Sequence, residues 1–160
     1  KNPPGTPAMI RATNILENRF VEIIEENHQA ITEQYMNDLL RNPDTVAYRN
    51  MDRQKVYEEG DRIYRELSKW IVKQYPKAEV SKYYSKLGRE KYDQGVPFSQ
   101  AQKAMVLQRR HLWLFILNKL YYDASLYKEA LDLNNRVVLY FDRAMFHLLE
   151  GYESRIYKKW

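Results

Sequence analysis

The sequence contains no cysteine. Disulfides, thiolate metal sites and thiol nucleophiles are therefore excluded, and the absence fits a reducing compartment such as the cytoplasm. No apolar run approaches the ~18 to 20 residues that a membrane-spanning helix needs. Catalytic signatures are also missing: there is no Walker-type glycine loop, no GxSxG elbow and no HExxH pair. A large excess of one charge is absent as well. The 26 basic and 21 acidic residues give a net charge of +5, but the signs are interleaved along the chain. That pattern reads as a solvated surface and not as a nucleic-acid footprint.

What is present is helical periodicity. At 160 residues, 44% of them apolar and 29% charged, the chain suits one domain with a real core. Residues 1–8, with Pro3, Pro4 and Pro7, read as a leader, and 9–160 as a single helical domain. Leu16, Phe20, Ile23, Ile24, Ile31, Tyr35 and Leu39 recur at helical steps, which predicts one long helix from about Ala8 to Arg41, with a bend or break near Thr13-Asn14. Asn42-Pro43-Asp44 stops it, and a short polar link follows. Asp52 caps a second helix whose stripe runs from Val56 through Trp70 and Ile71 to a stop at Tyr75-Pro76. Gly60 sits beside that stripe and marks a close helix contact, since a helical Gly otherwise costs about 1 kcal/mol against Ala. A third helix spans about Lys77 to Gln94, a fourth runs from Ser99 to about Tyr122, and a fifth begins near Leu126 and extends through Tyr152 towards Ile156. No β-type alternation competes with these segments. The fold class is all-α, with about five long helices in a bundle or a globin-like packing.

The sharpest local signals lie between the third and fourth helices. Gly95 supplies a left-handed helix stop. Val96-Pro97-Phe98 turns the chain, and Ser99 with Gln102 has the spacing of a capping box, with Phe98 as its hydrophobic staple.

Candidate sites are few. His28, His111 and His147 fall on different helices. His111, on the Leu107–Phe115 side of the fourth helix, is the candidate for an axial haem ligand if the fold encloses an apolar pocket. Glu25 and His28 make one Glu-x-x-His spacing, and no second copy exists to complete a di-metal carboxylate site. The fourteen tyrosines and three tryptophans carry apolar bodies with polar tips that seek partners. Tyr83, Tyr84, Leu87, His111, Trp113 and Phe115 are the residues expected to line a ligand pocket near the corner. Tyr121-Tyr122 and Tyr127 are further aromatic candidates.

Leu87-Gly88-Arg89-Glu90, then Gly95-Val96-Pro97-Phe98, then Arg110 and Leu112-Trp113, resemble the N-terminal sensory domain of stressosome co-antagonist proteins of the RsbR/RsbRD type. Phe141-Asp142-Arg143-Ala144 and Gly151-Tyr152 are similar to that family's final helix. The resemblance covers most of residues 10–158 through short motifs. It implies a bacterial, cytoplasmic, non-enzymatic signalling module with a globin-like fold that holds no haem, and it implies a homodimer. Its last helix would relay a signal to an output domain or a protein partner. The first and last helices are expected to form the self-association surface. Two alternatives stay open: a haem-binding globin-like sensor, and a purely structural oligomerisation module.

Overall fold

The computed structural model describes residues 18–72 and 77–158. The expected leader, the bend near Thr13-Asn14 and the Tyr75-Pro76 stop lie outside those residues. Within them the chain is helical with no strand. The order is α1 (Arg19–Glu26), α2 (His28–Arg41), a 3₁₀ segment (Pro43–Asn50), α3 (Arg53–Arg65), a π-helical turn (Ser68–Val72), α4 (Lys77–Asp93), α5 (Phe98–Tyr122), a 3₁₀ turn (Ala124–Leu126) and α6 (Tyr127–Tyr157). The all-α expectation holds. The helical segments outnumber the five expected, because several predicted units are broken.

The first break is at Asn27. Its side-chain amide donates to the Ile23 carbonyl at 2.7 Å, and its backbone leaves helical geometry. An Asn side chain competes for main-chain groups in this way, so the single helix expected up to Arg41 becomes α1 and α2. The second break is at Glu66, which ends α3 with φ −115° and ψ 30°. The apolar stripe continues past it as a π-helical turn that buries Trp70 and Ile71, with Trp70 Nε1 donating to Glu66 Oε2 at 3.2 Å. The supposed polar link after Asn42-Pro43 is also part of the core. Thr45 and Tyr48 are buried there, and Thr45 Oγ1 donates to the Leu39 carbonyl at 2.7 Å.

Asp52 caps α3 as expected, accepting from the Gln54 N–H at 3.0 Å. Gly95 has φ +79° and closes α4 in a double hydrogen-bonded turn: its N–H donates to the Tyr92 carbonyl at 2.9 Å, and Val96 N–H to the Lys91 carbonyl at 3.0 Å. This is the Schellman arrangement that satisfies the last carbonyls of a helix. The capping box does not form. Pro97, with φ −57° and ψ 138°, takes the cap position without a side-chain bond, so Phe98 and Ser99 already lie inside α5. Proline's fixed φ suits that entry. Phe98 is therefore no staple; it stays exposed and meets the Tyr152 ring edge-on at 6.3 Å between centroids.

α4 and α6 run side by side in the same direction, with Tyr84 near Tyr140, Gly88 against Gly151 and Asp93 paired with Arg155. A Cβ at Gly88 would collide with the Leu148 carbonyl, and one at Gly151 with the Ser85 carbonyl. The two glycines therefore permit backbone contact between the helices. α5 runs antiparallel to α2, bridged to it by His111–Asp38, while near the start of α5 Gln100 Oε1 accepts from the Ala47 N–H of the 3₁₀ segment that follows α2. One continuous core, including Phe20, Leu39, Tyr64, Trp70, Leu112 and Phe141, joins these helices.

Candidate functional site

α3, α4 and α5 enclose a cavity of about 30 Å³. Tyr35, Tyr48, Glu59, Tyr83, Tyr84, Lys91 and Gln108 supply its polar groups, and Val56, Leu87, Ala104, Met105 and Leu148 its apolar wall. The space matches about two water molecules. Gly60 forms part of the wall because a Cβ there would come within 2.7 Å of Tyr35 Cε1. This is the close helix contact that its position in the stripe announced.

The charges in this wall are unusual. Lys91 is buried, and its Nζ lies 2.7 Å from Glu59 Oε2. The angles of this contact fall outside hydrogen-bond geometry, so among the described residues Lys91 Nζ has a close ionic partner but no hydrogen bond. The Tyr48 ring, 5.5 Å from the ammonium, adds a cation–π contact. Gln108 Nε2 donates to the Gly60 carbonyl at 2.7 Å, and the Gln108 carbonyl accepts from Tyr64 Oη at 2.5 Å. Tyr84 and Tyr140 share a hydroxyl–hydroxyl bond of 2.7 Å. Burial, reinforced by the neighbouring Glu59 carboxylate and other phenols, pushes the Tyr35 and Tyr48 hydroxyls well above the usual tyrosine range. Both therefore stay neutral hydrogen-bonding groups.

Outside this chamber, Lys55, Glu58, Arg62, Arg65, Lys86 and Glu90 line an open groove of about 390 Å³. Glu59, Tyr83 and Leu87 belong to both spaces and form the partition between them. The Arg62 guanidinium lies 4.0 Å over the Tyr83 ring and 4.8 Å from the Trp70 ring. A third, wider groove of about 820 Å³ lies at the corner, between Tyr92, Phe98, Tyr152 and Ile156, beside the two-pronged Arg155–Asp93 pair.

Of the six residues expected to line a pocket, Tyr83, Tyr84 and Leu87 come together around the cavity. His111, Trp113 and Phe115 do not line it. His111 lies one turn beyond Gln108 and faces α2, with its Nε2 2.8 Å from Asp38 Oδ2. Burial raises the Asp38 carboxyl, but hydrogen bonds from His111 and Asn42 outweigh it and hold the group below the ordinary aspartate value. Trp113 and Phe115 are partly buried against the core. Tyr121, Tyr122 and Tyr127 are exposed and line no cavity among the described residues. The Glu25–His28 spacing is divided by the Asn27 break: Glu25 accepts from Ser68 Oγ, and His28 turns to Asp61. Among the described residues no group of three or more metal-ligating side chains converges.

Sequence reasoning missed Glu59, Lys91, Tyr48 and Gln108. The signal for Lys91 was available. It follows Val80, Tyr84 and Leu87 at helical steps, so a lysine occupies the register of a buried stripe. No protein-family description, curated protein or solved structure matches the chain.

Proposed function

We propose that the chain is a non-enzymatic, cytoplasmic sensory module of bacterial signal transduction. It takes a small ligand into the α3–α4–α5 cavity and relays the change along α6 to an output domain or protein partner. The resemblance of its corner and last helix to stressosome co-antagonist sensory domains points the same way. The observation that carries the reading is the double role of Lys91. Its side chain lines the cavity while its carbonyl anchors the turn that ends α4. Movement of that side chain pulls on the turn. Tyr152 Oη on α6 donates to the Val96 carbonyl of the same turn at 2.9 Å. At the Gly88–Gly151 crossing no side-chain layer separates α4 from α6, so a shift of one loads the other there.

Self-association accompanies the relay in this reading. Among the described residues α1 presents no large exposed apolar side chain, whereas α6 presents Leu131, Leu139, Phe146, Ile156 and Tyr157. Lys128 and Glu150 stand eleven residues either side of Leu139, and Arg136 and Asp142 stand three either side. A two-fold axis through Leu139 would therefore set opposite charges against each other between antiparallel copies of α6. The surface falls on the last helix of the expected pair, with the first helix packed inward.

Amide exchange with Lys91→Met tests the relay. Faster exchange at 151–157 than in the parent protein is the expected result, and an unchanged rate there removes the link between cavity and α6. Sedimentation at tens of micromolar tests the dimer, and a strict monomer contradicts it.

A further inference from the structure

We propose that the seam between α3 and α4 binds a small monocarboxylate of about acetate size, which enters through the outer groove and takes the place of Glu59 on the Lys91 ammonium. The proposal rests on the reading of this cavity as the module's input and names the chemistry that the input takes.

A buried ammonium that makes no hydrogen bond has donor capacity left unused. Lys91 Nζ is buried and ion-paired but makes no hydrogen bond among the described residues, and Lys91 lines the cavity. Its present partner, Glu59, lies in the partition, with a side chain 19% exposed. Glu59 has somewhere else to go. The outer groove carries Lys55, Arg62, Arg65 and Lys86 against Glu58 and Glu90, so apart from Glu59 itself its wall has a net surplus of two positive charges. Within that groove Arg62 Nε is buried with no acceptor in line among the described residues, and its ion-pair partner Glu66 is 3.8 Å away. An outward swing brings the Glu59 carboxylate to these cations, and the same field draws an incoming anion towards the partition.

The cavity sets the size and class. With about 30 Å³ free, nothing larger than a couple of waters fits until Glu59 leaves. Within the chamber one carboxylate then stands where another stood, so the charge facing Lys91 is unchanged while the displaced Glu59 carboxylate is carried by the groove. The remaining wall offers Tyr35 and Tyr48 as neutral hydrogen-bonding groups and Val56, Ala104, Met105 and Leu148 for a methyl or ethyl tail. A tetrahedral dianion is disfavoured by this geometry, because one ammonium faces it and the rest of the chamber is neutral or apolar.

Titration calorimetry with sodium acetate at constant ionic strength tests this, with chloride and inorganic phosphate as competing probes. Acetate binds the parent protein, binds Glu59→Gln at least ~10-fold tighter because the internal competitor is lost, and loses binding in Lys91→Met, where the charge-assisted bond is gone. The double variant Glu59→Gln/Lys91→Met leaves no buried charge in the seam, keeps the fold if Lys91→Met alone does not, and binds no acetate. A merely structural ion pair predicts that Glu59→Gln and Lys91→Met act in the same direction. Acetate affinity unchanged or weakened in Glu59→Gln, retained in Lys91→Met or the double variant, or matched by phosphate or chloride overturns the proposal. Tighter acetate binding in Glu59→Gln with no response at 151–157 upholds the site and overturns the relay, so the two ideas fail separately.

Discussion

Two buried charges flank helix α3, and they are treated differently. Asp61 is 2% exposed and receives three donors: His28 Nδ1 at 2.6 Å, Thr32 Oγ1 at 2.8 Å and an Arg65 nitrogen at 3.0 Å. Lys91, equally buried, has one carboxylate at 2.7 Å with no hydrogen bond formed, and it lines a cavity. The α2 side of α3 is a closed polar cluster whose bonds hold α2 and α3 together. The α4 side is left open. Closed networks stabilise a fold, whereas a half-satisfied one at a cavity signals a place for something else. The contrast falls within one turn of α3, and the proposed input site rests on it.

Breaking the closed side should cost most. Asp61→Ala strips the acceptor from His28, Thr32 and Arg65, and we expect about 3 kcal/mol of lost stability in urea unfolding, the range for removing one member of a buried ionic network. Gly60→Ala comes next. Its Cβ forces the Tyr35 ring aside, an overpacking of about 1 to 2 kcal/mol after the gain in helix propensity, and the displaced ring should also close the cavity to acetate. Lys91→Met should change stability by only about 1 kcal/mol or less, since an apolar chain of similar length replaces a poorly bonded charge and the partly exposed Glu59 turns to water. If Lys91→Met proves as damaging as Asp61→Ala, the distinction between the two sides collapses.

The pH response should be gentler and should differ by region. The Tyr35, Tyr48 and Tyr64 hydroxyls are all raised, by burial first. Their contribution is complete below the unfolded tyrosine value of ~10 and is lost as pH rises beyond it. Urea midpoints should therefore hold up to about pH 10 and fall as pH rises beyond it. Asp38, held low on the His111 side, acts in the opposite direction: its contribution is present above the unfolded aspartate value of ~4 and is lost as pH falls through the folded one. Asp38→Asn should remove that acid component and leave the alkaline one.

Much of this arrangement was legible from residue patterns. The four-residue and three-residue steps gave the helices, Asp52 and Gly95 gave two of their ends, and Gly60 gave a close contact. Broken helices were harder to see. Asn27 and Glu66 interrupt stripes whose apolar rhythm runs on across the break, because burial continues even where the hydrogen-bond ladder does not. The Ser99/Gln102 spacing misled for a different reason: Pro97 had already fixed the chain for helix entry, so the cap was taken two residues earlier. The site was half legible. Tyr83, Tyr84 and Leu87 share one face of α4 and reach the cavity together. His111, Trp113 and Phe115 look continuous with them in sequence but project from other sides of α5, a rotation that depends on how α2 and α5 pack. Lys91 and Glu59 come from different helices. Their pairing exists only once α3 and α4 are side by side, and no local pattern contains it.

The most direct test of the central claim, that the open side of α3 is coupled to the last helix, is an amide NMR titration of the intact chain with acetate. Saturable shifts that begin at Glu59 and Lys91 and extend with the same midpoint to Gly95, Val96, Gly151 and Tyr152 are the predicted result. Shifts that stop at the cavity wall while Val96 and Tyr152 stay fixed would contradict it.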